Sequence, residues 1–233
     1  MKHNPIIVAL DFNNAAQARK LVDTLGDSID FYKVGLELYA AEGMAFPREL
    51  MDRGKNVFLD LKLYDISETV KRAVAVIAQS GVKFLTIHAS KAIMRAALEG
   101  RGGSELKLLG VTVLTSFNEQ DLADLGYETR VSDLVALLAQ AAVDCGVNGV
   151  VCSPLEAATV RQIVGPNAII VTPGVRSRSA MAGDQKRIAT PAEAVAAGAD
   201  YIVVGRQVTR AVHAKAEVEK ILAEIESEAL LVP

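Results

Sequence analysis

Eight short apolar runs recur along the chain, and segments with helix-like periodicity separate them. This alternation is typical of repeated βα units, whose strands lie parallel in one sheet. Because βα crossovers are right-handed, eight such units predict an α/β fold closed into a (β/α)8 TIM barrel, with a doubly wound open sheet as the alternative. The predicted strands are Ile6–Leu10, Phe31–Val34, Val57–Leu61, Phe84–Ile87, Leu108–Leu114, Gly149–Val151, Ala168–Val171 and Tyr201–Val204.

No Ser/Gly-rich linker or change of composition divides the chain, so we predict one domain over residues 1–233. Helix signals agree with the βα pattern, since Asn13 or Asn14 can cap a first helix that Gly26 ends. One long irregular stretch, Thr172–Arg187, interrupts the pattern. A loop of that length in a compact barrel usually has a functional role.

The third apolar run differs from the others because charged side chains alternate with aliphatic ones. Since strand side chains point to opposite faces in turn, one face is wholly aliphatic. That face consists of Val57, Leu59, Leu61 and Leu63. The other face carries Asp60 and Lys62 between Phe58 and Tyr64, and Asp65 follows as the chain leaves the strand. An acid and a base on one strand face either meet water or converge in a site.

Polar residues also occur at the C-terminal ends of other predicted strands, where barrel enzymes hold their chemistry. Asp11 and Lys33 each end an otherwise apolar inner row, and His88 and Thr115 follow the fourth and fifth strands. Two lysines and at least two aspartates should therefore meet at one mouth, where a buried charge needs a partner. Each residue alone could simply cap a strand at the solvent edge. For His88, a structural role in packing beside the strand end is preferred over a functional one.

A phosphate-binding region is predicted on the side of the last two strands. Gly205 and Arg206 follow the eighth strand, and Arg176 lies in the loop after the seventh. Backbone amides at a helix start and a guanidinium group suit an anion, and barrels often bind phosphate at these two loops. The sequence contains no Walker A motif, no dinucleotide-binding glycine pattern and no His/Cys metal cluster.

Composition limits the partners and the compartment. The formal net charge of −3 gives no reason to expect nucleic acid or an anionic membrane, and no apolar run is long enough to span a bilayer. Cys145 and Cys152 fit no metal-ligand spacing and are expected to be reduced thiols in a cytoplasmic protein. Composition therefore gives no reason to expect a nucleic-acid or membrane partner, and the small-molecule substrate follows only from the resemblance described below.

An ordered set of motifs covers essentially the whole chain. The motifs are Val8-Ala9-Leu10-Asp11, Lys33-Val34-Gly35, Asp60–Ile66, Val111–Ser116, Val171–Arg176, Gly183-Asp184-Gln185 and Val204-Gly205-Arg206. Together they resemble the orotidine 5′-phosphate decarboxylase family, the last enzymes of UMP synthesis, and in particular its bacterial branch. The Asp-x-Lys-x-x-Asp element within them is shared by a wider superfamily, whereas the ordered set is specific.

The resemblance implies a homodimeric lyase that decarboxylates orotidine 5′-monophosphate to UMP, in de novo pyrimidine biosynthesis, without cofactor or metal. Lys62 is similar to the residue that protonates C6, and Asp60 to the carboxylate that faces the substrate's own carboxylate. Lys33 is similar to a member of the same charged network that also contacts the ribose. Asp65 and Thr69 resemble residues that reach into the neighbouring subunit's site.

Substrate-binding residues also follow from the resemblance. Asp11 resembles a ribose-hydroxyl acceptor, and Thr115 matches a pyrimidine-contacting position, with the adjacent Ser116 left open. The phosphate-side set implied by the resemblance is Arg176, Gln185, Gly205 and Arg206, with Gln185 on a closing loop.

The chain departs from the family pattern without losing a charged residue of the predicted network. Ser67, Ser177 and Gln207 stand where prolines are common, and Lys91 stands where glycine is common. The departures bear on local loop geometry. Ser67 could compensate by capping the helix that follows it.

Two other functions are considered. The Mg²⁺-dependent 3-keto-gulonate 6-phosphate decarboxylases share the Asp-x-Lys-x-x-Asp element but have an acid at the position of Lys33, where a cation would oppose metal binding. A non-catalytic barrel that binds a phosphate ligand is compatible with the fold alone. Against this second alternative, an unused cluster of buried charges would be costly to retain.

Overall fold

The computed structural model describes residues 4–177 and 189–229 and contains eight parallel strands in a closed barrel. Each strand pairs with its neighbours in sequence, and β1 closes the ring against β8. The predicted TIM barrel is confirmed, and the doubly wound alternative is wrong. The strands are β1 Ile6–Ala9, β2 Phe31–Gly35, β3 Asn56–Leu63, β4 Phe84–His88, β5 Lys107–Val111, β6 Gly149–Val151, β7 Ile169–Pro173 and β8 Tyr201–Val204.

Helices connect the strands and cover the outside of the barrel. Asn14 caps the first helix by accepting a hydrogen bond from the Gln17 amide, and Gly26 ends it with φ +52°. None of the helices described is long and apolar enough to cross a membrane. The helices are α1 Ala15–Leu25, α2 Leu36–Glu42, α3 Ala45–Asp52, α4 Ser67–Ala78, α5 Lys91–Arg101, α6 Glu119–Asp124, α7 Val131–Cys145, α8 Ala157–Val164, α9 Pro191–Ala196, α10 Arg206–Thr209 and α11 Ala214–Ala229, with a 3₁₀ turn at Gly26–Ser28.

The fifth strand is shorter than its apolar run predicts. Strand β5 ends at Val111, whereas the run continues to Leu114. Val113 lies beyond the strand but is buried against the outer core, so an apolar pattern continues where the strand pairing has stopped. Thr112 is still bound to β6 through the Val151 carbonyl, and the chain turns only after it.

Two apolar clusters stabilise the barrel, one inside it and one between strands and helices. Inside, aromatic side chains pack closely, with the rings of Phe31 and Phe84 4.9 Å apart and those of Phe58 and Phe84 6.0 Å apart. The alternation predicted for β3 holds at its first residues, since Phe58 belongs to the inner cluster while Val57 and Leu59 belong to the outer one.

Strands β3 and β4 lose their regular pairing near the mouth. Leu59 pairs with Leu85 and Leu63 pairs with Ile87, so the three residues Asp60–Lys62 lie opposite a single residue of β4. Lys62 adopts φ +48°, and it is the sole residue other than glycine with a positive φ in the described parts of the chain. Such a bulge re-aims side chains, and a left-handed lysine is a strained position that its surroundings must hold.

Candidate active site

A cavity of about 490 Å³ opens at the C-terminal ends of the strands, within the size range of small-molecule sites. Its deepest walls are apolar and include Ala9, Phe58 and Val203. The sequence-predicted residues that line it are Asp11, Lys33, Asp60, Lys62, Thr115, Arg176, Gly205 and Arg206. Residues of β3 and of β7 both line the cavity, and these strands lie on opposite sides of the eight-stranded barrel. The cavity therefore extends across the whole mouth.

Four charged residues, one just after β1 and the others on β2 and β3, form what we call the charge cluster: Asp11, Lys33, Asp60 and Lys62. The Lys33 ammonium lies 2.9 Å from Asp11 Oδ1 and 3.5 Å from Asp60 Oδ2. Lys62 Nζ donates to Asp60 Oδ1 at 2.8 Å. Acids and bases thus alternate along the cluster, and each buried charge has an opposite charge beside it.

Gly35 leaves room for this arrangement. A Cβ atom at this position would lie 2.9 Å from Lys33 Nζ and 3.2 Å from Asp11 Oδ1, which is too close for the lysine to keep its place. The glycine of the Lys33-Val34-Gly35 motif therefore permits the close approach of the Lys33–Asp11 pair. In the sequence, Gly35 stands out only as the last residue of that motif, so its steric role was missed.

The charge cluster keeps Asp60 ionised despite its burial. Burial alone would raise the pKa of the Asp60 carboxyl, but the charges of Lys33 and Lys62 and hydrogen bonds from Lys62 and Thr86 outweigh it, and the net effect lowers the pKa. A carboxylate with two ammonium neighbours is thus fixed at the inner end of the cavity.

Thr86 is a residue of the site that sequence reasoning missed. Its fully buried hydroxyl accepts a hydrogen bond from the Lys62 backbone N–H at 2.9 Å and donates one to Asp60 Oδ1 at 3.0 Å. The signal was present in the sequence. Thr86 follows Phe84 by two positions on an apolar strand and so shares its inward face.

Tyr64 and His88 lie outside the cavity wall. The prediction that Tyr64 shares the face of Asp60 and Lys62 is wrong, because the bulge at Lys62 breaks the alternation and leaves Tyr64 68% exposed. Its ring packs against His88 with centroids 4.6 Å apart, in line with the packing role preferred for that histidine. Burial lowers the pKa of His88, which favours the neutral imidazole.

Arg176, Gly205 and Arg206 lie on the β7–β8 side of the same cavity, which we call the anion side. Gln207 connects the segments that carry the two arginines: it accepts from the Ser177 N–H at 3.1 Å and donates to the Ser177 hydroxyl at 2.9 Å. These hydrogen bonds continue into α11, where Gln207 donates to Glu217 and Ser177 to Glu224. Two of the three positions that depart from proline, Ser177 and Gln207, are therefore hydrogen-bond partners.

Thr115 and Gln185 were both predicted to bind substrate, and only Thr115 lies among the described residues. Thr115 lines the cavity, and so does Ser116, so the alternative left open between them stays open. Gln185, with the rest of its Gly183-Asp184-Gln185 motif, lies outside the described residues.

Asp65 and Thr69 do not line this chain's cavity in the part of the protein that the structure describes. Both are exposed, and Asp65 Oδ1 accepts a hydrogen bond from the amide of Ile66. Ser67 does not cap α4 as suggested, because it is the first helical residue and Ile66 takes the cap position. A proline is tolerated at that first position, so the departure to serine leaves the helix start intact.

The donor set does not resemble a metal site. Within residues 4–177 and 189–229, no three His, Cys, Asp or Glu side chains are grouped to hold an ion. The Lys33 ammonium itself lies between the Asp11 and Asp60 carboxylates, at the place that a divalent ion shared by those two side chains would need.

The comparisons with known proteins agree with this geometry. A family model described as "Orotidine 5'-phosphate decarboxylase / HUMPS family" matches residues 4–221. The chain belongs to this family. An orotidine 5′-phosphate decarboxylase of Rhodopseudomonas palustris is 53% identical over 220 residues, which are 94% of this chain and 93% of that protein. One from Caulobacter sp. is 48% identical over 94% of this chain and 96% of its own length.

A solved structure shows the same likeness in three dimensions. The crystal structure of orotidine 5′-phosphate decarboxylase from Lactobacillus acidophilus matches with a TM-score of 0.84 and 36% sequence identity. The match covers 96% of this chain and 99% of that one. Family membership and the barrel therefore rest on sequence and structure together.

Proposed function

We propose that this protein converts orotidine 5′-monophosphate to UMP in pyrimidine biosynthesis, without a cofactor and with Lys62 protonating C6 of the pyrimidine. The observation that carries the proposal is the Lys62–Asp60 pair, which faces a cavity with Arg176 and Arg206 across the barrel. A substrate with a carboxylated ring at one end and a phosphate at the other matches both ends of this cavity.

Lys62 supports the chemical step by its charge and its protons. Loss of CO₂ from C6 leaves an electron pair in an orbital that the pyrimidine ring cannot delocalise. An ammonium held at that carbon stabilises the developing charge and then supplies the proton that completes UMP. Its pairing with Asp60 at 2.8 Å holds the ammonium in place before the substrate binds.

Asp60 and Lys33 determine the electrostatic environment of C6 of the pyrimidine in this proposal. A substrate carboxylate beside the Asp60 carboxylate meets a like charge, and this repulsion disappears as CO₂ leaves. Lys33 stabilises Asp60 from the other side, so that Asp60 stays ionised and the repulsion is retained. Asp11, paired with Lys33 and half exposed, is placed to accept from a ribose hydroxyl.

Phosphate binding contributes at a distance from the reacting carbon. Opposite charges about 4 Å apart are worth roughly 4 kcal/mol at an effective dielectric of 20, so one lysine does not account for a large rate enhancement. Binding energy at Arg176 and Arg206 can instead hold the pyrimidine against the charge cluster. Gly205 leaves the backbone at the start of α10 open to a phosphate oxygen.

The position of Lys33 favours this reaction over the Mg²⁺-dependent decarboxylation of a sugar phosphate. An ammonium between Asp11 and Asp60 competes with a divalent ion for the same carboxylates. The charge cluster likewise favours an enzyme over a barrel that only binds a phosphate ligand, because buried or half-buried charges that served no reaction would be costly to retain.

The active form in our proposal is a cytoplasmic homodimer with shared sites. Asp65 and Thr69 lie at the mouth end but outside this chain's cavity, and they are exposed. Leu36, Tyr64 and Ile66 expose large apolar side chains at the same end, and a second copy of the chain would cover them. Cys145 and Cys152 are both thiols, in keeping with a reducing compartment.

The assay of UMP formation from orotidine 5′-monophosphate tests the proposal directly. Lys62→Ala should lower kcat by at least about 1,000-fold, since the charge and the proton donor are both lost. Lys20→Ala, on the exposed face of α1, is the matched control and should keep full activity. Turnover by Lys62→Ala at the wild-type rate would refute the proton-donor role, and loss of wild-type turnover in excess chelator would favour the metal enzyme.

Mixing inactive subunits tests whether sites are shared. Lys62→Ala and Asp65→Ala homodimers should each be weak, whereas a mixed dimer has one site with both residues intact. Equal mixing should therefore restore roughly a quarter of wild-type activity, because half of the dimers are mixed and half of their sites are intact. Subunit exchange, checked by differently tagged chains, without recovered activity would argue against shared sites.

A further inference from the structure

We infer that Thr86 is a positioning residue that holds both ends of the Asp60–Lys62 bulge and so aims the ammonium at the substrate. The inference rests on the proposed function for the roles of Asp60 and Lys62. It begins with the pairing of β3 and β4, where three residues of one strand lie opposite Thr86 alone.

The hydroxyl of Thr86 closes a ring of three hydrogen bonds. It accepts from the Lys62 backbone N–H and donates to Asp60 Oδ1, and the same oxygen of Asp60 accepts from Lys62 Nζ. A hydroxyl can donate and accept at once, which no aliphatic side chain can do. Thr86 thereby couples the main chain of Lys62 to the carboxylate that binds its side chain.

This ring explains how Lys62 keeps its unusual conformation. A residue other than glycine at φ +48° is strained and persists only where its surroundings determine it. The hydrogen bond to Thr86 uses the Lys62 N–H that the interrupted strand pairing leaves without its regular partner. Because Thr86 has no exposed surface, water does not replace it in this role.

The test compares Thr86→Val, which keeps the shape and loses the hydroxyl, with Thr86→Ser, which keeps the hydroxyl. Thr86→Val should lower kcat by about 10- to 100-fold, the size expected when a hydrogen bond to a charged group is lost, with KM changed by less than about threefold. Thr86→Ser should recover kcat to within about threefold of wild type. The split between kcat and KM separates misplacement of the ammonium from weaker substrate binding.

Thr112→Val is the matched control. Thr112 is also buried in the barrel wall, and its hydroxyl donates to the Val151 carbonyl at 2.9 Å, away from the charge cluster. The control loses one buried hydrogen bond, as Thr86→Val does, and should keep the wild-type kcat. Equal losses of kcat in both valine variants, or none in Thr86→Val, would overturn the inference.

A second readout does not depend on turnover. The charged groups that face Asp60 are Lys33 on β2 and Lys62 on its own strand, with Asp11 beyond Lys33, and Thr86→Val keeps all three. Carboxyl NMR of the ligand-free protein should show that Asp60 titrates at higher pH in Thr86→Val than in wild type or Thr112→Val. An unchanged titration would overturn the inference, whereas absence of UMP formation by the wild type would overturn only the proposed function.

Discussion

The charge cluster and the anion side face each other across one cavity, but different contacts hold them. In the charge cluster the charged groups bind one another, and each of Lys33 and Lys62 contacts Asp60 directly. On the anion side the residues after the arginines are held, because Ser177 and Gln207 bind each other and then α11. The charge cluster is thus preorganised by contacts among its own charged groups. On the anion side, hydrogen bonds of the residues next to the arginines hold the backbone in place.

Loss of Lys33 should disrupt the charge cluster most strongly after loss of Lys62 itself. Lys33→Met keeps the length of the side chain and removes the ammonium that two carboxylates share. We expect kcat to fall by about 100- to 1,000-fold. Asp60 loses one of its two ammonium neighbours, and the electrostatic environment of the Lys62 ammonium changes with it. Steady-state kinetics measures the effect, with Lys20→Met on the surface of α1 as the control.

The same variant should change how stability depends on pH. In the wild type the folded-state pKa of Asp60 is lowered below the unfolded value of about 3.9. The stability that this group contributes is therefore full above about pH 4 and is lost as the pH falls through the folded pKa. Without Lys33 the folded pKa rises, so urea unfolding should show the loss beginning at higher pH. Identical pH profiles would contradict this electrostatic account.

A smaller effect is expected when only the position of Lys33 is changed. Gly35→Ala places a methyl group 2.9 Å from the Lys33 ammonium, which must then move away from Asp11. We expect kcat to fall by about 10- to 100-fold, with little change in the free energy of unfolding, because the charge is kept but displaced. In Gly103→Ala the new methyl group meets no atom within 4 Å, and this control should behave as wild type.

The smallest effects are expected on the anion side. Ser177→Ala and Gln207→Ala should each raise KM for the nucleotide by about 2- to 10-fold and leave kcat nearly unchanged, because the lost hydrogen bonds position the arginines without contacting the phosphate themselves. Because the two side chains bind each other, the double variant should be little worse than the more damaging single one.

The unphosphorylated nucleoside is the control for this cycle, since its weak binding should not respond to either substitution. Fully additive effects in the double variant would show that the two residues act separately. An equal loss of nucleoside binding would show a general disturbance of the cavity.

The barrel could be predicted from the chain because its signal is repeated and local. Each strand gives an apolar run of its own, so an error at one boundary, as at Leu114, leaves the count of strands unchanged. The charged face of β3 was equally visible, since Asp60 and Lys62 alternate with aliphatic residues at the C-terminal end of the predicted strand.

The bulge could not be predicted from the same pattern. Strict alternation places Tyr64 beside Lys62, whereas pairing with β4 determines where β3 turns. Thr86 and Gly35 matter through contacts with residues far away in sequence or through space that they leave empty. Neither effect produces a periodicity, so the structure was needed to find them.

The aromatic interior closes the barrel at one end. Phe31, Phe58 and Phe84 fill the axis beneath the cavity and are almost completely buried. In the proposed reaction, carbon dioxide released beside Asp60 would meet this packed aromatic layer on its inner side, so we expect it to leave through the opening of the cavity by which the nucleotide enters. Among the described residues, the proposed reaction thus has one opening for both the gas and the nucleotide, so release of carbon dioxide and exchange of the nucleotide are expected to be coupled.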